Sequence, residues 1–165
     1  MSYYIQRIRM AELYRDAADV AWEQLTVSDA VTASYERVLG LDQRLLDLSH
    51  ELPDFLRFDK GRDFRTHSRH EASSQLQKQK LFIFLMITAR RCKLHLPYLL
   101  RSQQDTRFRF SRETSLGCAR EMLKLSHLMS SESSTCNIKL PGVFHHFFIG
   151  EFRLYQVPTP PLILT

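Results

Sequence analysis

Glycine, cysteine and long apolar runs are all scarce in this chain, and each shortage removes a class of function. Only five glycines occur in 165 residues, and none stands in the kind of Gly-rich loop that lets backbone N–H groups close on a phosphate. That argues against a nucleotide enzyme of the Walker or dinucleotide type. The three cysteines, Cys92, Cys118 and Cys136, are odd in number and far apart. They form neither a disulfide framework nor a zinc site with Cys-x-x-Cys spacing. Cys92 and Cys118 fall inside amphipathic helical patterns, where a reduced thiol behaves as a small hydrophobe, and this points to a reducing, intracellular compartment. The apolar run 81–89 has nine residues, whereas a bilayer span needs about 20. It reads as a core helix, and no membrane contact is expected. The first nine residues contain no uninterrupted apolar stretch of the signal-peptide type. Strands with convincing alternation and internal repeats are also missing.

What remains is globular. Hydrophobic residues make up 44% and charged residues 25% of the chain, enough for one domain with its own core. Twenty-three basic against 18 acidic residues give a net charge of +5, but without a dense basic run this describes scattered, solvated Lys and Arg better than a nucleic-acid surface. Any DNA affinity is expected to be sequence-blind phosphate attraction.

The periodicity predicts an all-α fold, an irregular helical bundle of about five helices. In the first, Ile5, Ile8, Leu13, Ala17 and Val20 recur near a helical period. A second, capped by Thr26 or Ser28, carries Val31, Tyr35, Val38, Leu45, Leu48 and Leu52 as far as Pro53, with a bend expected at Gly40. The connection 53–74 is long, with Phe55, Leu56, Phe58 and Phe64 to pin it against the helices. The third helix, near residues 74–96, is apolar all round in its middle and is the expected central helix, with Phe84 in its buried centre. Pro97 should end or kink it, having no N–H for the helical ladder. Ser111 is the expected N-cap of a fourth helix with Glu113 in its first turn, running to about Met129 with Leu116, Ala119, Met122, Leu123 and Ser126 on one face. After Pro141-Gly142, the residues Phe144, Phe147, Phe148, Phe152 and Tyr155 form an aromatic stripe on a last helix. Residues 157–165 are an irregular Pro-rich tail.

No catalytic constellation stands out. His67 and His70 could share a face with Glu71, but a third ligand is not placed, and two solvated loop histidines explain them more simply. His145 and His146 are adjacent and point to different faces. Ser49-His50 and Ser126-His127 place nucleophile and base side by side in sequence, which does not create the required hydrogen bond, and no nucleophile-elbow glycines surround them. The densest cationic cluster is Arg90, Arg91, Lys93, His95 and Arg101, beside Tyr98. It can hold an anion or acidic partner, and ion pairs with carboxylates of neighbouring helices are the simpler expectation.

Several motifs in order carry a family resemblance. They are the segment Tyr3-Tyr4-Ile5-Gln6-Arg7-Ile8-Arg9-Met10-Ala11-Glu12-Leu13-Tyr14-Arg15, the closure Glu51-Leu52-Pro53-Asp54-Phe55-Leu56, the pattern Lys93-Leu94-His95-Leu96-Pro97-Tyr98-Leu99, and the helix start Phe110-Ser111-Arg112-Glu113 with small residues after it. Together they resemble the fungal-specific transcription factor domain, the all-helical regulatory region that follows the binuclear zinc cluster in many fungal transcription factors. Leu96 stands where the family usually has arginine. The tryptophan-rich helix and Gly-Arg-Pro segment of the family's early half are absent, as are the six zinc-binding cysteines.

The resemblance implies that residues 1–156 are the C-terminal portion of such a regulatory domain. It implies a nuclear, non-catalytic regulator of RNA polymerase II transcription, acting through other domains or subunits of a transcription factor, the transcription machinery or a small effector. Zinc is expected only in the absent DNA-binding region of relatives, with no cofactor, catalytic residue or specific DNA contact in this chain. The family-motif positions Lys93, His95, Pro97, Tyr98, Ser111, Arg112 and Glu113 are the expected structural or regulatory residues. The alternative is a small intracellular helical enzyme or ligand-binding protein with a pocket around His95, Tyr98 and Arg112.

Overall fold

A computed structural model describes residues 3–26, 34–59 and 71–131. Within them lie four α-helices, two short 3₁₀ turns and no strand, as expected of an all-α chain. The helices are α1, Tyr3–Thr26; α2, Tyr35–His50; α3, Glu71–Arg101; and α4, Arg109–Ser131. The expected fifth helix with its aromatic stripe, the tail, Cys136, Ser28, Val31, Phe64 and the pairs His67/His70 and His145/His146 lie outside the described residues, as do the side chains of Ser126 and His127. Among the described residues no helix is long and apolar enough to cross a membrane.

The first helix is rotated from the sequence reading. Its buried stripe is Gln6, Met10, Leu13, Ala17 and Val20, a regular alternation of four- and three-residue steps that keeps one face inward. Ile5 and Ile8 are instead 43% and 62% exposed. The misreading has a physical origin, because the inward position nearest the start is held by a polar Gln6 and hydrophobicity alone favours the neighbouring isoleucines. In α2 the buried residues are Val38, Leu41, Asp42, Leu45 and Leu48. Ser34 rather than Thr26 occupies its N-cap, without a side-chain capping bond, and Thr26 is the last residue of α1. Helix α2 passes through Gly40 without a break, since the glycine lies on an open face with a negative φ and its missing Cβ has nothing to meet.

After α2 the 3₁₀ turn Asp54–Leu56 drops Leu56 fully into the core. Phe58 then packs on Phe84 of α3, with ring centroids 5.3 Å apart, while Phe55 stays half exposed.

Helix α3 runs 31 residues, about 46 Å at the helical rise, and it contains Pro97 rather than stopping there. The proline removes one rung of the ladder. Beyond it, Tyr98 and Leu99 are buried at 0% and 2% exposure, and packing of those side chains outweighs one lost hydrogen bond. Three backbone bonds then close the end, from Ser102 N–H to Tyr98 and from Gln104 and Asp105 N–H to Arg101.

The centre of α3 is buried on two sides rather than all round. Ile83, Ile87, Leu94 and Tyr98 join a core with α1 and α2, whereas Leu81, Leu85, Ala89 and Cys92 join a second core with Cys118, Ala119, Met122 and Leu125 of α4. Phe84, expected at the buried centre, is half-buried at the edge against Phe58.

Helix α4 begins at Arg109, behind the 3₁₀ turn Thr106–Phe108. Ser111 is therefore inside the first turn rather than at the N-cap, and the capping role moves upstream to Asp105, whose carboxylate accepts the Arg107 N–H at 3.0 Å. The inward face of α4 is Ser111, Ser115, Cys118, Ala119, Met122 and Leu125, with Leu116 and Leu123 only half-buried.

Candidate functional site

Three helices meet around one buried carboxylate. Asp42 sits in the middle of the apolar stripe of α2, and burying a carboxylate is costly unless it is paired and hydrogen-bonded. Its main partner is Arg91 of α3, held two-pronged, with Nε donating to Oδ1 at 2.6 Å and Nη2 donating to Oδ2 at 3.0 Å. One turn further along α3, His95 brings Nε2 to 3.2 Å from the same Oδ1, outside hydrogen-bond angles. The other ring nitrogen, Nδ1, lies 2.8 Å from Ser111 Oγ of α4. The Ser111 hydroxyl donates to Tyr35 Oη at 3.1 Å, and the Tyr35 hydroxyl reaches the Arg107 carbonyl at 3.4 Å. The connected polar path thus runs from α3 through α2, back to α3, across to α4 and down to the start of α2.

The electrostatics follow from that placement. Burial pushes the Asp42 carboxyl up, but the two hydrogen bonds and the charge of Arg91, with the His95 ring beside it, outweigh burial and hold the group at about 2. Burial lowers and Asp42 raises the Arg91 guanidinium, with a net upward shift. Beside the network, burial pushes the Cys118 thiol up to about 12, so it is a packing group rather than a nucleophile.

Of the seven motif positions, the structure brings His95, Ser111 and Tyr98 together. Tyr98 is sealed between Tyr35 and Phe108, at centroid distances of 4.7 and 5.2 Å, and its hydroxyl lies 3.4 Å from Ser34 Oγ. Pro97 is in the helix beside them. The other three fall elsewhere. Lys93 is half-buried, with its ammonium pKa lowered by burial and by Arg90; Arg112 takes no part in the network; and Glu113 pairs with Arg109 on the surface at 2.8 Å. Within the basic cluster, Arg91 has the carboxylate of a neighbouring helix, whereas Arg90 lies over the Tyr14 ring at 4.1 Å.

Aspartate, histidine and serine in this order imitate a hydrolase triad. Ser111 and His95 are both 0% exposed, however, and the serine proton is directed at Tyr35 rather than at an open site. No substrate reaches that hydroxyl in this conformation. The pocket expected around His95, Tyr98 and Arg112 is thus filled by the protein's own side chains at its first two members. Among the described residues no group of three His, Cys, Asp or Glu side chains is placed to hold a metal ion. Sequence reasoning missed Asp42, Ser34 and Tyr35 as members of the site. The available signal was a carboxylate placed between Val38, Leu41, Leu45 and Leu48, where the helical period puts it in the core.

No family model matches the chain, and no solved structure matches it at a significant level. Curated relatives do. The chain is 28% identical over 153 residues to the probable transcription factor lepB of Aspergillus flavus, an alignment covering 91% of this chain and 27% of that protein. It is also 28% identical over 149 residues to the agnestins biosynthesis cluster transcription factor AgnL11 of Paecilomyces divaricatus, covering 90% of this chain and 20% of that one. The chain spans about a quarter and a fifth of the length of these relatives. What it resembles, over nearly all of its own length, is one segment of fungal transcription factors.

Proposed function

We propose that this chain is a regulatory, non-catalytic helical segment of a fungal transcription factor, working in the nucleus. It modulates RNA polymerase II transcription through contacts with other domains, the transcription machinery or a small effector, and holds neither zinc nor any other cofactor itself. The observation that carries this reading is the alignment of nine-tenths of the chain with proteins named as fungal transcription factors. Two features of the site support it. The residues that would do chemistry in an enzyme are used to join helices, and the motif residues His95 and Ser111 supply one polar tie between α3 and α4. A segment that transmits a signal needs such cross-helix ties more than it needs an open pocket at them.

The test is a reporter. The chain is fused to an unrelated DNA-binding domain and expressed in a filamentous fungus beside the DNA-binding domain alone. A change of several-fold in reporter output, in either direction, is expected, together with its loss in His95→Ala protein of equal abundance. Output identical to that of the DNA-binding domain alone would overturn the proposal.

A further inference from the structure

A cavity of about 170 Å³ lies between the end of α2, the segment 52–59 and the middle of α3. On α3 it is lined by Lys80, Phe84, Ile87, Thr88 and Arg91, which recur on one face at helical spacing. Leu52, Leu56 and Phe58 complete an apolar wall from the other side. Voids left by imperfect packing are apolar and small; this one is larger and meets cations.

Arg91 gives it chemical character. Asp42 occupies Nε and Nη2 of its guanidinium, at 2.6 and 3.0 Å, so Nη1 is the nitrogen that Asp42 does not take. The side chain keeps 20% of its surface accessible, while the carboxylate that clamps it is 3% exposed. The arginine is therefore oriented in advance by a buried partner, and contact with an anion requires little further ordering. Lys80 and Arg57 also line it, and Arg57 is held by Asp54 at 3.0 Å and by the His50 and Leu52 carbonyls. Phe58 and Phe84, packed on each other with centroids 5.3 Å apart, give the wall aromatic surface, which favours another ring. The volume is well below the roughly 300–1,000 Å³ of pockets for drug-sized ligands, so the occupant is small.

We propose that this cavity binds a small aromatic monocarboxylate, its ring against Leu56, Phe84 and Ile87 and its carboxylate on Arg91 Nη1. As an effector site it deepens the regulatory function proposed above and rests on it, whereas the binding itself is measurable without any reporter.

The experiment is a titration of the full chain, followed by ¹⁵N-resolved NMR, with benzoate, benzyl alcohol and acetate. The alcohol keeps the ring without the charge, and acetate keeps the charge without the ring. Benzoate should give saturable shifts at the amides of Leu56, Phe84 and Thr88 and at Arg91 Nε, with each control at least tenfold weaker. Ser49→Phe, which fills the cavity from α2 without touching the Asp42–Arg91 pair, should abolish the shifts while the helical circular-dichroism signal is retained; if it fails to fold, Leu46→Phe serves the same purpose. Absence of benzoate shifts at millimolar concentration, equal binding of benzyl alcohol, shifts confined to other cations, or undiminished binding in the folded filled variant would each overturn the site. Benzoate binding with no effect on the fused reporter, when that reporter does respond to the chain, would overturn its regulatory role while leaving the site standing.

Discussion

The two sides of α3 are held by different physics. Toward α1 and α2 the contact is built from large side chains, Leu45, Leu56, Ile83 and Tyr98 among them, and is threaded by the Asp42–Arg91 pair. Toward α4 it sets small residues, Ala89, Cys92, Cys118 and Ala119, among Leu81, Leu85, Met122 and Leu125, with Ser115 reaching the Cys92 carbonyl at 3.4 Å. Small residues let two helix backbones approach closely and gain dispersion contacts along their length. A buried ion pair adds little net stability against apolar replacements of similar shape, but it penalises any register in which the two charges fail to meet. One interface is specified by fit, the other by charge.

Removing one partner of the pair tests this contrast most strongly. Asp42→Ala leaves Arg91 buried and unpaired, and urea unfolding should show a loss of about 3–5 kcal/mol. The double variant Asp42→Leu/Arg91→Met should recover most of that loss, because replacing both charges removes the desolvation penalty along with the attraction. If the double variant is no better than the single one, the pair contributes stability outright and the contrast fails.

On the opposite side, Ala119→Leu should cost about 1–3 kcal/mol, since Ala119 is fully buried and a larger side chain has no room without pushing the helices apart. Unchanged stability in thermal denaturation would mean that the α3–α4 contact is loose.

Acid sharpens the comparison further. Asp42 is held at about 2 against an ordinary value of 3.8. A carboxyl whose folded-state pKa is depressed contributes its stability in full above the unfolded value and loses it as pH falls through the folded one. Between about pH 4 and pH 2, stability should therefore drop by about 2 kcal/mol more in the wild type than in Asp42→Asn protein. Ala119→Leu should leave that slope unchanged. Equal slopes in wild type and Asp42→Asn would show that Asp42 is not the titrating group.

The smallest effect lies outside both interfaces. Gly40→Ala, on an open face of α2 where a Cβ meets nothing, should raise stability by about 0.5–1 kcal/mol, because alanine loses less freedom than glycine on entering a helix. A decrease would mean that the exposed face of α2 is not free to accept a side chain.

The helical class, the central place of α3 and, among the described residues, the burial of most stripe positions were legible in the sequence, because an apolar period of 3.6 leaves a chain few other ways to hide its surface. Periodicity did not decide phase. On α1 the polar Gln6 holds the inward position and Ile5 and Ile8 face out, and on α4 the inward face runs through Ser111, Ser115 and Cys118. Both choices depend on what stands opposite. Tertiary packing also carried α3 through Pro97, since buried Tyr98 and Leu99 outweigh one missing rung. The polar network could not be assembled from sequence alone, because Asp42, His95 and Ser111 lie on three helices and their distances exist only once those helices are packed. Sequence determined which residues form helices and which are apolar enough to need cover. The tertiary structure alone decided which polar side chains the core would accept, because a buried polar group is tolerated only where a specific partner arrives to meet it.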